Sequence, residues 1–282
     1  MPEIAIVTDS TADLPAETAR ELGIAIVPLK VIFGQEVYRD GVEMDTATFY
    51  KRLRAGEMAT TSQPSPGEFE AAYRKLLAKA ETIISIHISR DLSGTVNAAE
   101  AARVLLPDAD ITVIDSRLVA GALGLLVQAA ARAAREGKSR DEIIGLIKKL
   151  MREIRVFFCV DSLEYLRRGG RIGGAQALLG TILNIKPILT LRDGIIQPFE
   201  KIRGHRVALR RLAEIVFQEA GPQPVTCLVV EGDNREAADA LTNLLSGLPP
   251  GSAVGVGRVG MVVGAHAGPG VFGVVVYKDK IF

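Results

Sequence analysis

Apolar positions recur along this chain in two rhythms, and their alternation sets the first expectation of fold. EIAIVTDS (3–10) is a short apolar run ending in Thr8, Asp9 and Ser10, the pattern of a buried strand that gives way to a polar loop. IAIVPLKVIF (24–33) and the runs at 82–89 and 110–115 read as further strands. Between them lie helical segments. Pro15 opens one that Gly23 stops, and Asp45 caps one that Gly56 stops. Pro66 begins a third, over 66–80, with Phe69, Tyr73, Leu76 and Leu77 at helical spacing. Others are predicted over 95–106, 117–136 and 139–154. Strands alternating with helices predict an α/β arrangement, a parallel sheet covered on both faces.

The rhythm changes near residue 156. VFFCVDS reads as a strand and LEYLRRGGRIGG as a short helix broken by glycines. NIKPILTLRDGIIQPFEKIRG reads as a hairpin with Asp193-Gly194 at its tip. A helix, a strand (PVTCLVVEGD) and another helix follow, and two apolar strands joined by a GAHAGPG loop close the chain. The expectation is an N-terminal parallel-sheet α/β domain over 1–157 with helices on both faces, a C-terminal α+β domain over 158–282, and a ligand between them.

Composition narrows the chemistry. The length of 282 residues favours two cores over one. Aromatic residues are only 5% and Trp is absent, so the interior must be built from Ile, Val, Leu and Ala. A net charge of +1 excludes polyanion binding by the chain as a whole. Cys159 and Cys227 lie in apolar runs and read as buried free thiols, which fits a reducing, cytoplasmic compartment. Two Cys and three His without close spacing make no zinc site, and no metal is expected. LVAGALGLLVQAAA (118–131) is too short to span a bilayer, and the N-terminus lacks the features of a signal peptide.

Candidate chemistry gathers at a few turns. In ISRDLSGTVNAAE (88–100), Ser93, Gly94 and Thr95 stand where a strand gives way to a helix. A nucleophile elbow needs G-x-S-x-G, and Ser93 has Asp91 and Thr95 in the glycine places. An anion site fits the turn better: unpaired N–H groups at a helix start, a glycine for close approach, and two hydroxyls. Simple capping by Ser93 or Thr95 is the plain alternative. ATTSQPSPGEF (59–69) brings Thr60, Thr61 and Ser62 to another helix start, and ligands gather at the carboxyl ends of strands in α/β sheets. Asp9 reads as structural, accepting loop N–H groups.

His266 sits among glycines in GAHAGPG, whereas His87 alternates within an apolar strand and His205 opens a basic helix, a surface position. GVGRVG (255–260) spells the dinucleotide fingerprint, but that motif requires a helix to follow, and MVVGAHAGPG reads as unable to supply one. No P-loop is present. Lys201, Arg203, Arg206, Arg210 and Arg211, with Arg167, Arg168 and Arg171, make the second half locally basic without the aromatics of a nucleic-acid surface.

VTDSTADLP, TTSQPSPGEF, ISRDLSGTVNAAE, VIDS, LEYLRRGGRI and HAGPG, in this order from residue 4 to the C-terminus, resemble the DegV family. The resemblance implies a bacterial two-domain fatty-acid-binding protein with no enzymatic activity of its own. It would hold a long-chain fatty acid between its domains as its only ligand, without a cofactor. It would present the carboxylate to a separate ATP-dependent fatty acid kinase subunit, which makes the acyl-phosphate. Carried over by motif, Thr61, Ser93 and His266 would bind the carboxylate, with Ser62, Gly94 and Thr95 as close supports. Arg171 and Arg203 would orient the anion or dock the kinase. Val96 and Asn97 depart from the Tyr-Gln common in the family, and Gly173 stands where many members have Ser, departures that bear on the tail pocket. The rival reading is a serine-dependent hydrolase or transferase of a small anionic ester, with Ser93 as nucleophile and His266 as base.

Overall fold

The computed structural model describes residues 4–179 and 185–278. In chain order the first half contains β1 (Ile4–Asp9), α1 (Ala16–Leu22), β2 (Ala25–Val27), β3 (Lys30–Phe33), β4 (Glu36–Arg39), α2 (Thr46–Arg54) and β5 (Ala59–Ser62). It continues with α3 (Pro66–Leu77), β6 (Thr82–His87), α4 (Thr95–Val104), β7 (Asp110–Asp115), α5 (Ala120–Arg135) and α6 (Arg140–Glu153). The second half contains β8 (Arg155–Cys159), α7 (Glu164–Arg168), β9 (Ile185–Arg192), β10 (Ile195–Arg203), α8 (His205–Ala220) and β11 (Thr226–Gly232). It ends with α9 (Arg235–Leu244), β12 (Ala253–Arg258), α10 (Met261–Ala267) and β13 (Val271–Tyr277).

Strands β2-β1-β6-β7 form a wholly parallel sheet. Period-two alternation sends successive side chains to opposite faces. Ile6, Ile84 and Ile86 pack with α5 and α6, whereas Val7, Ile83 and Ile111 pack with α3 and α4. The predicted α/β class with both faces covered is therefore the observed one. Strands β10-β9-β8-β13-β11-β12 form a mixed sheet, antiparallel except for the β11–β12 pair. One face, with Cys159, Cys227, Val229, Phe272 and Val274, packs on α8 and α9. Its other face, with Val156, Leu189, Ile196, Val230 and Val275, joins the α5 side of the parallel sheet in one continuous core. The two halves meet through this core. β8 starts at Arg155, so residue 157 lies inside a strand of the second sheet.

Four sequence expectations are corrected. The run 24–33 is two strands: Pro28 follows β2, and β3 belongs to a third sheet, β4-β3-β5. Proline lacks the N–H that a continuous ladder needs. The 59–62 segment, expected only as the approach to a helix start, is the strand β5, paired with β3 in the register Val31↔Thr61. The expected loop through His266 is the helix α10, with five of its seven residues buried, and packing overrides the poor helix propensity of its glycines. The objection that no helix follows GVGRVG therefore fails. His205 is half-buried, its ring tilted on Phe272 at 4.8 Å, rather than on the open surface. Asn184, at the head of the expected hairpin, lies outside the described residues.

Candidate functional site

The turns that follow the carboxyl ends of β6 and β7 open toward the second sheet, and between them lies a cavity of about 480 Å³. Its walls are aliphatic: Ile88, Leu92 and Val119 from the first half, and Val156, Leu191, Ile196, Val230 and Val275 from the six-stranded sheet, with Phe158 the one phenyl ring in the lining among the described residues. Its polar lining consists of Thr61, Ser62, Gln63, Ser93, Arg171 and His266. The volume falls within the roughly 300–1,000 Å³ of small-molecule sites.

Thr61 is delivered by β5 and His266 by the last turn of α10. Thr61 Oγ1 and His266 Nε2 are 2.8 Å apart, joining positions 205 residues apart in the chain. The imidazole is half-buried and its Nδ1 has no hydrogen-bond partner. Burial first, and the Arg171 guanidinium second, push His266 down to about 4, so the ring is neutral at physiological pH. Arg171 donates from Nε to the Leu92 carbonyl at 2.8 Å and from its terminal nitrogen to Gly169. It places a fixed positive charge in the wall beside Ser93. The Ser93 hydroxyl is 2.8 Å from Thr95 Oγ1, and Thr95 is fully buried behind it. Ser62 and Gln63 are exposed, so the polar end of the cavity reaches the surface.

The Ser93–His266 pairing required by a hydrolase is not formed: Ser93 bonds to Thr95, and His266 bonds to Thr61. A Ser-His-Asp chain does exist elsewhere. Ser85 Oγ lies 2.7 Å from His87 Nε2, and His87 Nδ1 lies 3.0 Å from Asp9. All three residues have zero exposure, and Asp9 also accepts from the Ile88 and Thr11 N–H groups, so no substrate reaches this chain. It ties β1 to β6, as expected for a satisfied core histidine and a structural Asp9. Among the described residues, no group of three or more His, Cys, Asp or Glu side chains is placed to hold a metal ion, and no helix is long and apolar enough to cross a membrane.

The family model described as "Uncharacterised protein, DegV family" matches residues 3–279. The chain belongs to the DegV family. A DegV domain-containing protein of Streptomyces coelicolor is 42% identical over 275 residues, covering 97% of this chain and 98% of the relative. Among solved structures, a DegV family protein from Thermus thermophilus, described for fatty acid binding, superposes with a TM-score of 0.93 at 38% identity, over 99% of this chain and 100% of that one. DegV of Bacillus subtilis, described as a fatty acid binding protein, superposes with a TM-score of 0.91 at 35% identity, over the same shares.

In this DegV chain the structure brings Thr61, Ser62, Ser93, Arg171 and His266 to one cavity. It does not bring Arg203, which is exposed at the end of β10 and lines no part of it. Thr95 stands behind Ser93 rather than at the wall. Gly94, expected to let an anion approach the start of α4, is covered instead: a Cβ there would collide with the Gln63 side chain. Gln63 is the polar lining residue that reasoning from hydroxyls passed over, although it lies within the TTSQPSPGEF motif. None of Val96, Asn97 and Gly173 lines the cavity, so these family departures act on its shape only through neighbours.

Proposed function

We propose that this DegV chain binds one long-chain fatty acid in the cavity between its halves, 1–157 and 158–282, and holds the carboxylate at the Thr61–Ser93–His266 end. The observation that carries the reading is the hydrogen bond between Thr61 and His266 at the polar mouth of an otherwise aliphatic cavity. A carboxylate needs donors and a compensating charge. With the His266 proton on Nε2, the imidazole donates to Thr61 Oγ1 and frees the Thr61 proton for the ligand. Ser93 supplies a second hydroxyl and Arg171 the positive charge. Each buried CH2 of the tail contributes about 0.8 kcal/mol, so affinity should rise about fourfold per carbon until the cavity is full.

The chain is then a lipid-binding subunit with no catalysis of its own and no cofactor beyond the bound fatty acid, serving in the bacterial cytoplasm. The mouth beside exposed Ser62 and Gln63 leaves the carboxylate open to a separate ATP-dependent kinase that would form the acyl-phosphate. Exposed Lys201, Arg203, Arg206 and Arg210 supply a basic surface for that partner. Mass spectrometry of lipid released from freshly purified, denatured protein should find one long-chain fatty acid per chain. Folded protein that carries none, and takes up none when offered, ends the reading. The kinase step is tested separately, by phosphorylation of the bound acid in the presence of a candidate kinase and ATP.

A further inference from the structure

GVGRVG leads into α10, the helix whose last turn carries His266. The N-terminus of α10 starts at Gly260 and has no side-chain cap of its own. Two carboxylates from the first half occupy that position. Asp13 accepts from the Gly260 N–H, and it lies so close that a Cβ at Gly260 would collide with Asp13 Oδ1. Asp40 accepts from the Met261 N–H and from the Ser10 hydroxyl. Asp40 is 6% exposed, and Asp13 Oδ2 is buried without a hydrogen-bond partner.

Two neighbouring carboxylates, Asp40 buried and Asp13 half-buried, repel each other and lose hydration, a steep requirement for an end that one Ser or Asn would cap. They confer something a neutral cap lacks: ionisable carboxylates that can hold negative charge against the positive end of the helix. The rest of the segment is pinned as well. Tyr50 donates to the Val259 carbonyl at 3.1 Å, and Gly264 lies on the rings of Phe49 and Tyr50. At seven residues α10 is about 10 Å long, so a shift at its start carries to His266 as a rigid turn.

Resting on the fatty-acid reading above, we propose that Asp13 and Asp40 are positioning residues for the head-group site. They hold the start of α10, set His266 against Thr61, and make carboxylate affinity follow their own ionisation. The groups that act on the pair are Asp9 from β1 and, on Asp13, Tyr50 from α2, whose own hydroxyl is in turn faced by Glu231 and Asp233 at the end of β11 and Arg258 at the end of β12. Burial, opposed by the Ser10 and Met261 hydrogen bonds, lifts Asp40 to about 6. Burial and the Asp40 charge lift Asp13 well above the usual carboxylate range. His266 titrates near 4, so Asp40 changes charge across a pH range in which the imidazole does not.

The test uses full-length, delipidated protein with palmitate as the probe, by calorimetry from pH 5 to 8, together with His266 ring resonances of the ligand-free protein by NMR. Wild-type affinity, divided by that of Asp40→Asn to cancel the ligand's own titration, should fall about two- to tenfold as pH drops through 6. The His266 resonances should move with the same midpoint in the wild type and stay flat in Asp40→Asn. Ser10→Ala removes a donor to the Asp40 carboxylate and should move the midpoint to higher pH. Identical pH profiles for wild type and Asp40→Asn, or His266 resonances indifferent to both Asp40→Asn and Asp13→Asn, would overturn the proposal. If no form binds palmitate, the fatty-acid reading fails, and the NMR arm still decides the positioning role.

Discussion

Replacing Thr61 by valine removes one hydroxyl and leaves nearly everything else in place. Valine matches threonine in shape and in β-branching, and the backbone pairing of residue 61 with Val31 does not depend on the side chain. Two hydrogen bonds are lost. The first is the bond to His266 Nε2; with Nδ1 already unpartnered, the imidazole would be left bare at both nitrogens. An unsatisfied buried group of this kind costs about 1–3 kcal/mol of stability. The second is the bond from Thr61 to the ligand carboxylate. Bonds to charged groups are worth about 1.5–3 kcal/mol, which is roughly ten- to 150-fold in Kd. Calorimetric titration of delipidated Thr61→Val with palmitate should therefore show that loss, while Thr61→Ser, which keeps the hydroxyl, should stay within a few fold of wild type. A Thr61→Val protein that is folded and binds within twofold of wild type would refute the head-group assignment.

Other outcomes follow from the same structure. Ser93→Ala should weaken palmitate several-fold through one lost hydroxyl contact; if the protein turns over activated esters and this substitution abolishes it, the serine-hydrolase reading returns. Because folding raises Asp40 to about 6, its contribution to stability is present below about pH 4 and lost as pH rises through 6. Asp40→Asn should accordingly be more stable than wild type at pH 8, by as much as about 3 kcal/mol, and no more stable at pH 4, in denaturant titrations at the two pH values. The opposite pattern would show that the buried charge is not destabilising. Burial pushes the Cys159 and Cys227 thiols up to about 12, so a thiol reagent at pH 8 should find neither in the native protein and both in denaturant. Rapid labelling of the folded protein would contradict their placement in the core.

Much of this architecture could be read from periodicity. The parallel sheet was legible because its strands are continuous apolar runs and its helices carry clear caps, such as the Ser65–Glu68 capping box before α3. What escaped were short elements whose residues follow no apolar rhythm. β5 is Ala-Thr-Thr-Ser, an edge strand half-turned to solvent, and it exists because β3 offers it a ladder. α10 is flanked by glycines and has no cap of its own, and it forms because Asp13, Asp40 and Tyr50, more than 200 residues earlier in the chain, hold it in place. The hydroxyls at 61 and 93 were legible as motif residues. Their shared cavity and the neutrality of His266 depend on tertiary burial and the neighbouring Arg171. Gln63 and the covering of Gly94 were hidden for the same reason: local spacing does not say which side chain lies over a helix start.

The most direct measurement is a crystal structure of the delipidated protein grown with palmitate. The carboxylate should lie within hydrogen-bonding distance of Thr61 and Ser93 and beside Arg171, with the chain running between the two sheets past Phe158 and Val230. Electron density for the acid outside that space, or an empty cavity at saturating palmitate with Thr61 and His266 turned apart, would contradict the account.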